Sequence, residues 1–449
     1  MSFKPAALFP AFFPTCEPEC CMTYQPLISP GHSWYEDTAG ARAAFPVLDG
    51  DRSADVVIVG GGFTGLSAAA HLAKAGVNVV LIEAQRFGDG ASGRNGGQLG
   101  TGQRAWAEEL EAELGFTRAK LLFDLAEEAK AHLLDFAVSN DIEIDFMPGQ
   151  LSVVHKKRYV DAYKAHAEIM ATRFGYERIS FMDAKETAER LGTAVYFGGT
   201  RDTGTGHIHP LKLALGTARV AAAAGVQLFE KTPATSVVSN GGKVQVTTPT
   251  GTITADKALI AVNAYGGRLE PVSAAHVMPI GSFIGATAPL GADSPVIPGG
   301  ESVDDSRFVV RYFRKSKEGR LLFGGSETYT VSDPRDMQAA IRKQIVELYP
   351  ALKDVEITHS WGGYVGITMP RKPFVREVMP NVIFAGGYSG HGVMLSNFVG
   401  RLYAETVAGN RDRLKLFEEL KVPAFPGGAR LRAPLLFLAL HWYALRDRI

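Results

Sequence analysis

An α/β fold is what this sequence predicts, from three observations. Residues 54–83 read as strand, glycine-rich turn, helix and second strand, and residues 381–408 repeat the strand, turn and helix order near the other end. Between them lie many short runs with strand alternation. The chain has 449 residues, of which 46% are hydrophobic and 21% charged, and 47 acidic residues balance 47 basic ones. Such a length buries a large core and usually means at least two domains. Zero formal net charge gives no electrostatic case for nucleic acid or an anionic membrane as partner.

All three cysteines, Cys16, Cys20 and Cys21, fall in a proline-punctuated opening segment that makes a poor signal peptide. This argues against a disulfide framework and predicts a cytoplasmic protein. With no second ligand cluster, a metal site at these cysteines is not expected, and no metal is predicted elsewhere. Met22 is a candidate start, and residues 1–50 are read as extension and lead-in.

Residues 55–59 form a β-branched apolar run, the pattern of a strand buried in a parallel sheet. Gly60-Gly61-Gly62-Phe63-Thr64-Gly65 fits G-x-G-x-x-G, an Ala-rich helix is predicted over 66–75, and a second strand over 77–82 delivers Glu83, 23 positions after Gly60. Glycines here permit a tight turn, close approach of backbone N–H groups to a pyrophosphate, and helix–strand packing; the acid suits a ribose hydroxyl. An ordinary glycine-rich turn would not need all three flanking features, so a dinucleotide is expected.

The loop 87–98 offers Ser92, Arg94 and Asn95 for a phosphate or ribityl contact, against the plainer reading of a linker. Helical periodicity runs over 107–139, broken at Gly115, with a strand at 151–154 and a helix at 162–174. In GTGHIHP, Pro210 opens a helix over 211–224, and His207 and His209 are read as structural and not as ligands. Short strands are predicted at 226–229, 234–238, 243–247, 252–254 and 257–262, and a β-rich sheet over a substrate pocket across 273–325. Residues 433–445 lie between Arg432 and Arg446 and fall short of the about 20 apolar residues a membrane span requires, so a docked helix is expected. Two remote helix N-termini, one for a pyrophosphate and one for a second electron-poor group, favour FAD, the later one stabilising negative charge at the reduced isoalloxazine.

GGGFTG with Glu83, GASGRNGGQ, GHIHP, Asn263-Ala264-Tyr265 and GYSGHGV together resemble the FAD-dependent D-amino-acid-oxidase superfamily, the glycine oxidase and sarcosine oxidase group. More narrowly, they resemble its bacterial gamma-glutamylputrescine oxidoreductase branch over residues 30–449, including the end FPGGARLRAPLLFLALHWYALRDR. The resemblance implies a Rossmann-like FAD-binding domain of the DAO/glutathione-reductase type, with an interleaved α+β substrate domain on a largely antiparallel sheet. The FAD domain would comprise 51–125, 203–268 and 355–420, the substrate domain 126–202 and 269–354, and the docking segment 421–449. It further implies noncovalent FAD held by Gly60, Gly62, Phe63, Thr64, Gly65, Glu83, Ala91, Ser92, Arg94, Asn95, Gly96, Gln98, Gly387, Ser389, Gly390, His391, Gly392 and Val393.

Departures from the sarcosine-oxidase pattern carry information. Where those enzymes tether flavin through a cysteine, this chain reads Trp361-Gly362-Gly363-Tyr364, so flavin should leave on denaturation. The cations that hold a substrate α-carboxylate are matched by Met394 and Thr101, which argues for an amine without an α-carboxylate. The oxygen-activating lysine is matched by Leu322, which leaves oxygen or another acceptor open. His391 is assigned to the flavin edge, Trp361 and Tyr364 to the pocket wall, and Glu327 is a candidate for the substrate ammonium. The expected partners are a small-molecule amine and an electron acceptor. Three readings stand: oxidation of gamma-glutamylputrescine, oxidation of another amine or secondary amino acid, and a flavin-binding protein without turnover.

Overall fold

A computed structural model of the chain describes residues 29–328 and 336–429. The expectations for Cys16, Cys20, Cys21, Met22 and the segment 433–445 fall outside those residues.

Two sheets organise the molecule. The first has eight strands, and its main path runs Phe374–Met379, Val382–Gly386, Gly251–Ile260, Arg52–Val59, Val79–Ile82, Gln227–Phe229. Its four central pairings are parallel, as expected for strands read as unbroken apolar runs. Val56 to Val59 and Val79 to Ile82 are buried throughout, and the helix Phe63–Lys74 crosses between these two strands. The strand predicted in two pieces, 252–254 and 257–262, is the single strand Gly251–Ile260. Asp256 and Lys257 are exposed and interrupt the apolar pattern, and Lys243 ion-pairs with Asp256 across the antiparallel neighbour.

The second sheet has nine strands and is antiparallel except where Ser302–Asp305 runs parallel to Met147–Val153. The helical stretch 107–139 divides at Gly115 into Ala107–Leu114 and Phe116–Ser139; Gly115 has φ of +80°, which lets the chain turn between them. The helix opened by Pro210 spans Pro210–Ala223, and His209 caps it by accepting from Lys212 N–H (3.2 Å). The preceding GTGH belongs to a strand, Gly199–His207, which pairs with Met147–Val153 and Ile179–Met182. Strand Ile357–Ile367 and helix Met337–Leu348 complete the region. Among the described residues, no helix is long and apolar enough to cross a membrane.

The late strand and turn lead into helix Val393–Val407, which lies directly on Phe63–Lys74. Their closest approach is at Gly400, where a Cβ would stand 2.3 Å from Thr64 O and 2.8 Å from Ala68 N. A hydrogen bond of 3.0 Å between the Thr64 and Tyr388 hydroxyls bridges the same two regions, both partners buried. Two segments 324 residues apart are thereby joined at the base of one cavity.

Candidate active site

That cavity, about 380 Å³ in volume, runs from Gly60-Gly61-Gly62 and Glu83 to Ser389, Gly390, Gly392 and Val393. The first turn is fixed by backbone crowding. A Cβ on Gly65 would stand 1.9 Å from Gly60 O, and one on Gly60, whose φ is +112°, 2.6 Å from Ala261 O. Phe63 N–H donates to Ser92 Oγ (2.9 Å), so the loop 87–98 supplies the cap that Gly62 lacks as a side chain. Glu83 accepts from Gly61 N–H (2.7 Å) and Gln85 N–H (2.8 Å), and burial pushes its carboxyl up against the lowering effect of these bonds. The crowded turn, the helix N-terminus and the acid at the neighbouring strand end fit a dinucleotide pyrophosphate and ribose.

At the far end, Gly387 N–H donates to Asn263 Oδ1 (2.8 Å) and Thr368 N–H to Ser389 Oγ (3.2 Å), which hold the second turn. Val393 begins the second helix with its N-terminus at the cavity.

Of the residues implied by resemblance, Gly60, Gly62, Phe63, Thr64, Glu83, Ala91, Ser92, Arg94, Asn95, Ser389, Gly390, Gly392 and Val393 line this cavity. Gly65, Gly96, Gln98, Gly387, His391, Trp361 and Tyr364 are not among its lining residues. Gly65 and Gly387 shape the turns from behind. Gln98 Nε2 donates to Val303 O (2.9 Å), and Gly96 O accepts from Arg314 Nε (2.7 Å), so both bind the glycine loop to the nine-stranded sheet. Arg94 spends its guanidinium on the carbonyls of Gly362, Pro30 and Gly31, and Asn95 bonds back to Ala91 O and Ser92 O. Both residues build the wall through their own backbone partners.

Trp361 is fully buried, with its Nε1 donating to Arg94 O (3.0 Å) and its ring edge-on to Tyr35 at 5.2 Å. Tyr364 packs edge-on to Tyr265 at 5.6 Å and donates its N–H to the Tyr265 hydroxyl (2.9 Å). Tyr265 itself lines the cavity, so the two aromatics expected at the wall stand behind residues that form it. His391 bonds through Nε2 to Gly102 O (3.1 Å), and burial, helped by the charges of Arg104 and Lys130, lowers its pKa to about 4. It is a neutral imidazole with Nε2–H donated to a carbonyl, which leaves Nδ1 as the basic nitrogen.

Met394 is wholly buried in the apolar core, and Leu322 packs with Ile284, Tyr35 and Trp361. Thr101 Oγ1 donates to Asp202 (2.7 Å) and accepts from the buried Lys130 Nζ (2.8 Å), which also meets Glu127 (2.8 Å) and Gly204 O (3.1 Å). Sequence reading missed this lysine. Its signal was a cation on the buried stripe of a helix, between Ala126 and Leu133. Also missed was segment 29–36, which enters the cavity because Gly31 and His32 pair with Trp361 and Ser360. Glu327 lies on strand Arg320–Thr328, and its side chain is outside the described ones. His207 Nε2 meets Gly300 O (2.9 Å) and His209 meets Thr38 Oγ1 (3.0 Å); burial lowers each to about 3.

A parallel sheet with a crowded glycine turn, an acid at the next strand end and a second helix N-terminus across one cavity defines a dinucleotide-dependent flavoenzyme fold. The family model described as DAO, FAD dependent oxidoreductase, matches residues 55–406. The chain belongs to that family, and its cofactor is FAD. It is 62% identical to the "Probable oxidoreductase OrdL" of Rhizobium meliloti, across 95% of this chain and 100% of that one. It is 34% identical to the "Gamma-glutamylputrescine oxidoreductase" of Escherichia coli, across 93% and 98%. Among solved structures, glycine oxidase from Geobacillus kaustophilus superposes with a TM-score of 0.68 at 24% identity, covering 83% of this chain and 97% of that one.

Proposed function

We propose that the protein oxidises the terminal primary amine of gamma-glutamylputrescine to gamma-glutamyl-aminobutyraldehyde and ammonia, with oxygen or another acceptor taking the electrons. The feature that carries this reading is Met394, apolar and wholly buried in the core at the position that the resemblance matches to the cation holding a substrate carboxylate. From that position a carboxylate beside the oxidised carbon would gain no paired cation, and burying it unpaired costs several kcal/mol, roughly. In gamma-glutamylputrescine the carboxylate lies at the other end. The likeness to the Escherichia coli relative supports the same substrate class.

Gly60, Gly62, Ser92 and Glu83 would hold the pyrophosphate and ribose of FAD, and Ser389, Gly390 and Val393 its flavin end. Bound FAD supplies the two-electron acceptor that converts the CH–NH2 carbon to an imine, which water hydrolyses. The chain's own part is to hold, orient and exclude water. The N-terminus of Val393–Val407 places positive potential where negative charge develops. His391, neutral with its Nε2–H on Gly102 O, would support the second turn from behind the cavity lining. Trp361 and Tyr364 act as supports, keeping Arg94 and Tyr265 in place.

Anaerobic addition of gamma-glutamylputrescine should bleach the yellow protein, whereas sarcosine, glycine and putrescine should not. Bleaching by sarcosine or glycine in its place would overturn the substrate, and bleaching by no amine would overturn the reaction.

A further inference from the structure

Three side chains able to ligate a metal converge at the rim of the FAD cavity, on a segment that lines it. His32 Nε2 lies 2.6 Å from Asp37 Oδ1 and His359 Nε2 lies 2.9 Å from Asp37 Oδ2, and all three ligand atoms fall within 4.8 Å of one another. His32 itself lines the cavity, with Gly31, Ser33 and Glu36 beside it. Gly31 and His32 pair with Trp361 and Ser360, which brings His359 to the early segment although 322 positions separate it from Asp37. Spacing along the chain therefore could not announce the cluster.

The cluster differs from an ordinary surface ion pair. Among the described residues, Asp37 pairs with no lysine or arginine; its partners are the two imidazoles, while the neighbouring acids Glu36 and Asp89 are matched by Arg42 and Arg86. A carboxylate only accepts, so each Nε2 carries a hydrogen toward its own oxygen of Asp37. For an ion to take both Nε2 atoms, each ring must move its hydrogen to Nδ1. For His359 the place exists: Nδ1 lies 2.8 Å from Thr358 Oγ1, and that hydroxyl can turn its own hydrogen to Ala286 O (3.3 Å) while accepting from Arg320 Nη1 (3.1 Å). His32, with a side chain 61% exposed, can give its Nδ1–H to water.

We propose that His32, Asp37 and His359 bind a late first-row divalent ion, with zinc as the best fit, and that the ion clasps residues 31–38 to strand Ile357–Ile367. Two imidazole nitrogens and one carboxylate oxygen suit zinc, and water completes four ligands because the site is open to solvent. Bonds of about 2.0–2.2 Å place the ligand atoms of a tetrahedron about 3.3 Å apart. The two short contacts therefore open slightly, and the widest gap, at most 4.8 Å, closes by at most about 1.5 Å. Side-chain rotation supplies this, since His32 and Asp37 are exposed and Asp37 sits on a helix of five residues. Trp34 and Tyr35 are buried between the two early ligands, so the ion fastens the exposed side of a stretch whose other side is already packed.

The test uses the full-length, FAD-loaded, chelator-treated enzyme carrying Cys16→Ser, Cys20→Ser and Cys21→Ser, which removes the thiols that would compete for zinc. Calorimetry on this parent should show zinc bound at one site per chain. His359→Ala, and separately Asp37→Ala, should raise the dissociation constant at least about a hundredfold, and Thr358→Val about tenfold, with FAD content unchanged. With copper in place of zinc, electron paramagnetic resonance should show two coupled imidazole nitrogens in the parent and one in His32→Gln. Hydrogen exchange across residues 31–38 should slow when zinc is added to the parent and stay unchanged in His359→Ala. No bound zinc, or equal binding by the parent, His359→Ala and Asp37→Ala, overturns the site. Binding through these residues with unchanged exchange overturns the clasp.

Discussion

The two glycine turns at opposite ends of the cavity achieve similar shapes by different means. In the first, every replacement meets matter: a Cβ on Gly61 would stand 2.2 Å from the Phe87 ring, on Gly62 2.7 Å from Ser92 Oγ, and on Gly65 1.9 Å from Gly60 O. In the second, a Cβ on Gly387 would stand 2.6 Å from Thr368 Cγ2, but toward the tip the demand is conformational. Gly387, Ser389 and Gly390 have φ of +71°, +54° and +87°, and a Cβ on Gly390 would meet nothing within 4 Å. The first turn is a rigid socket made by packing, whereas the second is a bent wire held at Asn263 and Thr368 with open space at its tip. A socket suits the fixed pyrophosphate, and an open tip suits the end where substrates come and go.

The sharpest break of this contrast is at Gly65. Gly65→Val should cost about 4 kcal/mol or more, because the obstacle is backbone and cannot rotate away. FAD content after gel filtration reads it, and a variant that keeps one flavin per chain would refute the socket. Gly400→Val, at the seam between the two helices, should cost about 3 kcal/mol in urea unfolding through overpacking against Thr64 O.

Acid sharpens the contrast from the side of the second turn. Buried His391 titrates near 4, against 6.5 in the unfolded chain, so the unfolded state takes up the proton first as pH falls. Its stabilisation is complete above about 6.5 and is lost as pH drops toward 4. Between pH 7 and pH 5 this amounts to about 2 kcal/mol. His391→Asn should lose correspondingly less over that interval in chemical denaturation; an equal loss would mean the imidazole is not buried as described. The smallest effect is expected at Gly390→Ala, about 1 kcal/mol for the left-handed backbone alone, with FAD retained. Heating should release the flavin into solution in every case, since no cysteine lies beyond residue 21 to tether it.

How much of this was readable depends on whether a feature is local. The Gly60 to Glu83 unit was legible because its turn, helix and strands are contiguous and their periodicities unbroken. Gly115 announced the division of a long helix, and Pro210 the start of another. The nine-stranded sheet was not legible in the same way. Its strand Gly199–His207, GTRDTGTGH, has six Gly or Thr among nine residues and no apolar side chain, and its end read as a lead-in to a helix. Bulges between Phe283 and Ile284 and between Ala286 and Thr287 disturb the alternation of another. The cavity wall drew on residues 29–36, Thr232, Val262 and Val365, which no spacing rule connects because register across remote strands brings them together. Trp361 and Tyr364 were visible as aromatics near the right place. What the sequence could not tell was that they stand one layer behind, bonded to Arg94 and Tyr265.

The contact of Thr64 with Tyr388 and Gly400 has a consequence for biogenesis. A nascent chain that has exposed only its first half owns the socket for one end of FAD and nothing to close over it. Cofactor capture is therefore a late event, completed when the segment around residue 400 has cleared the ribosome and docked.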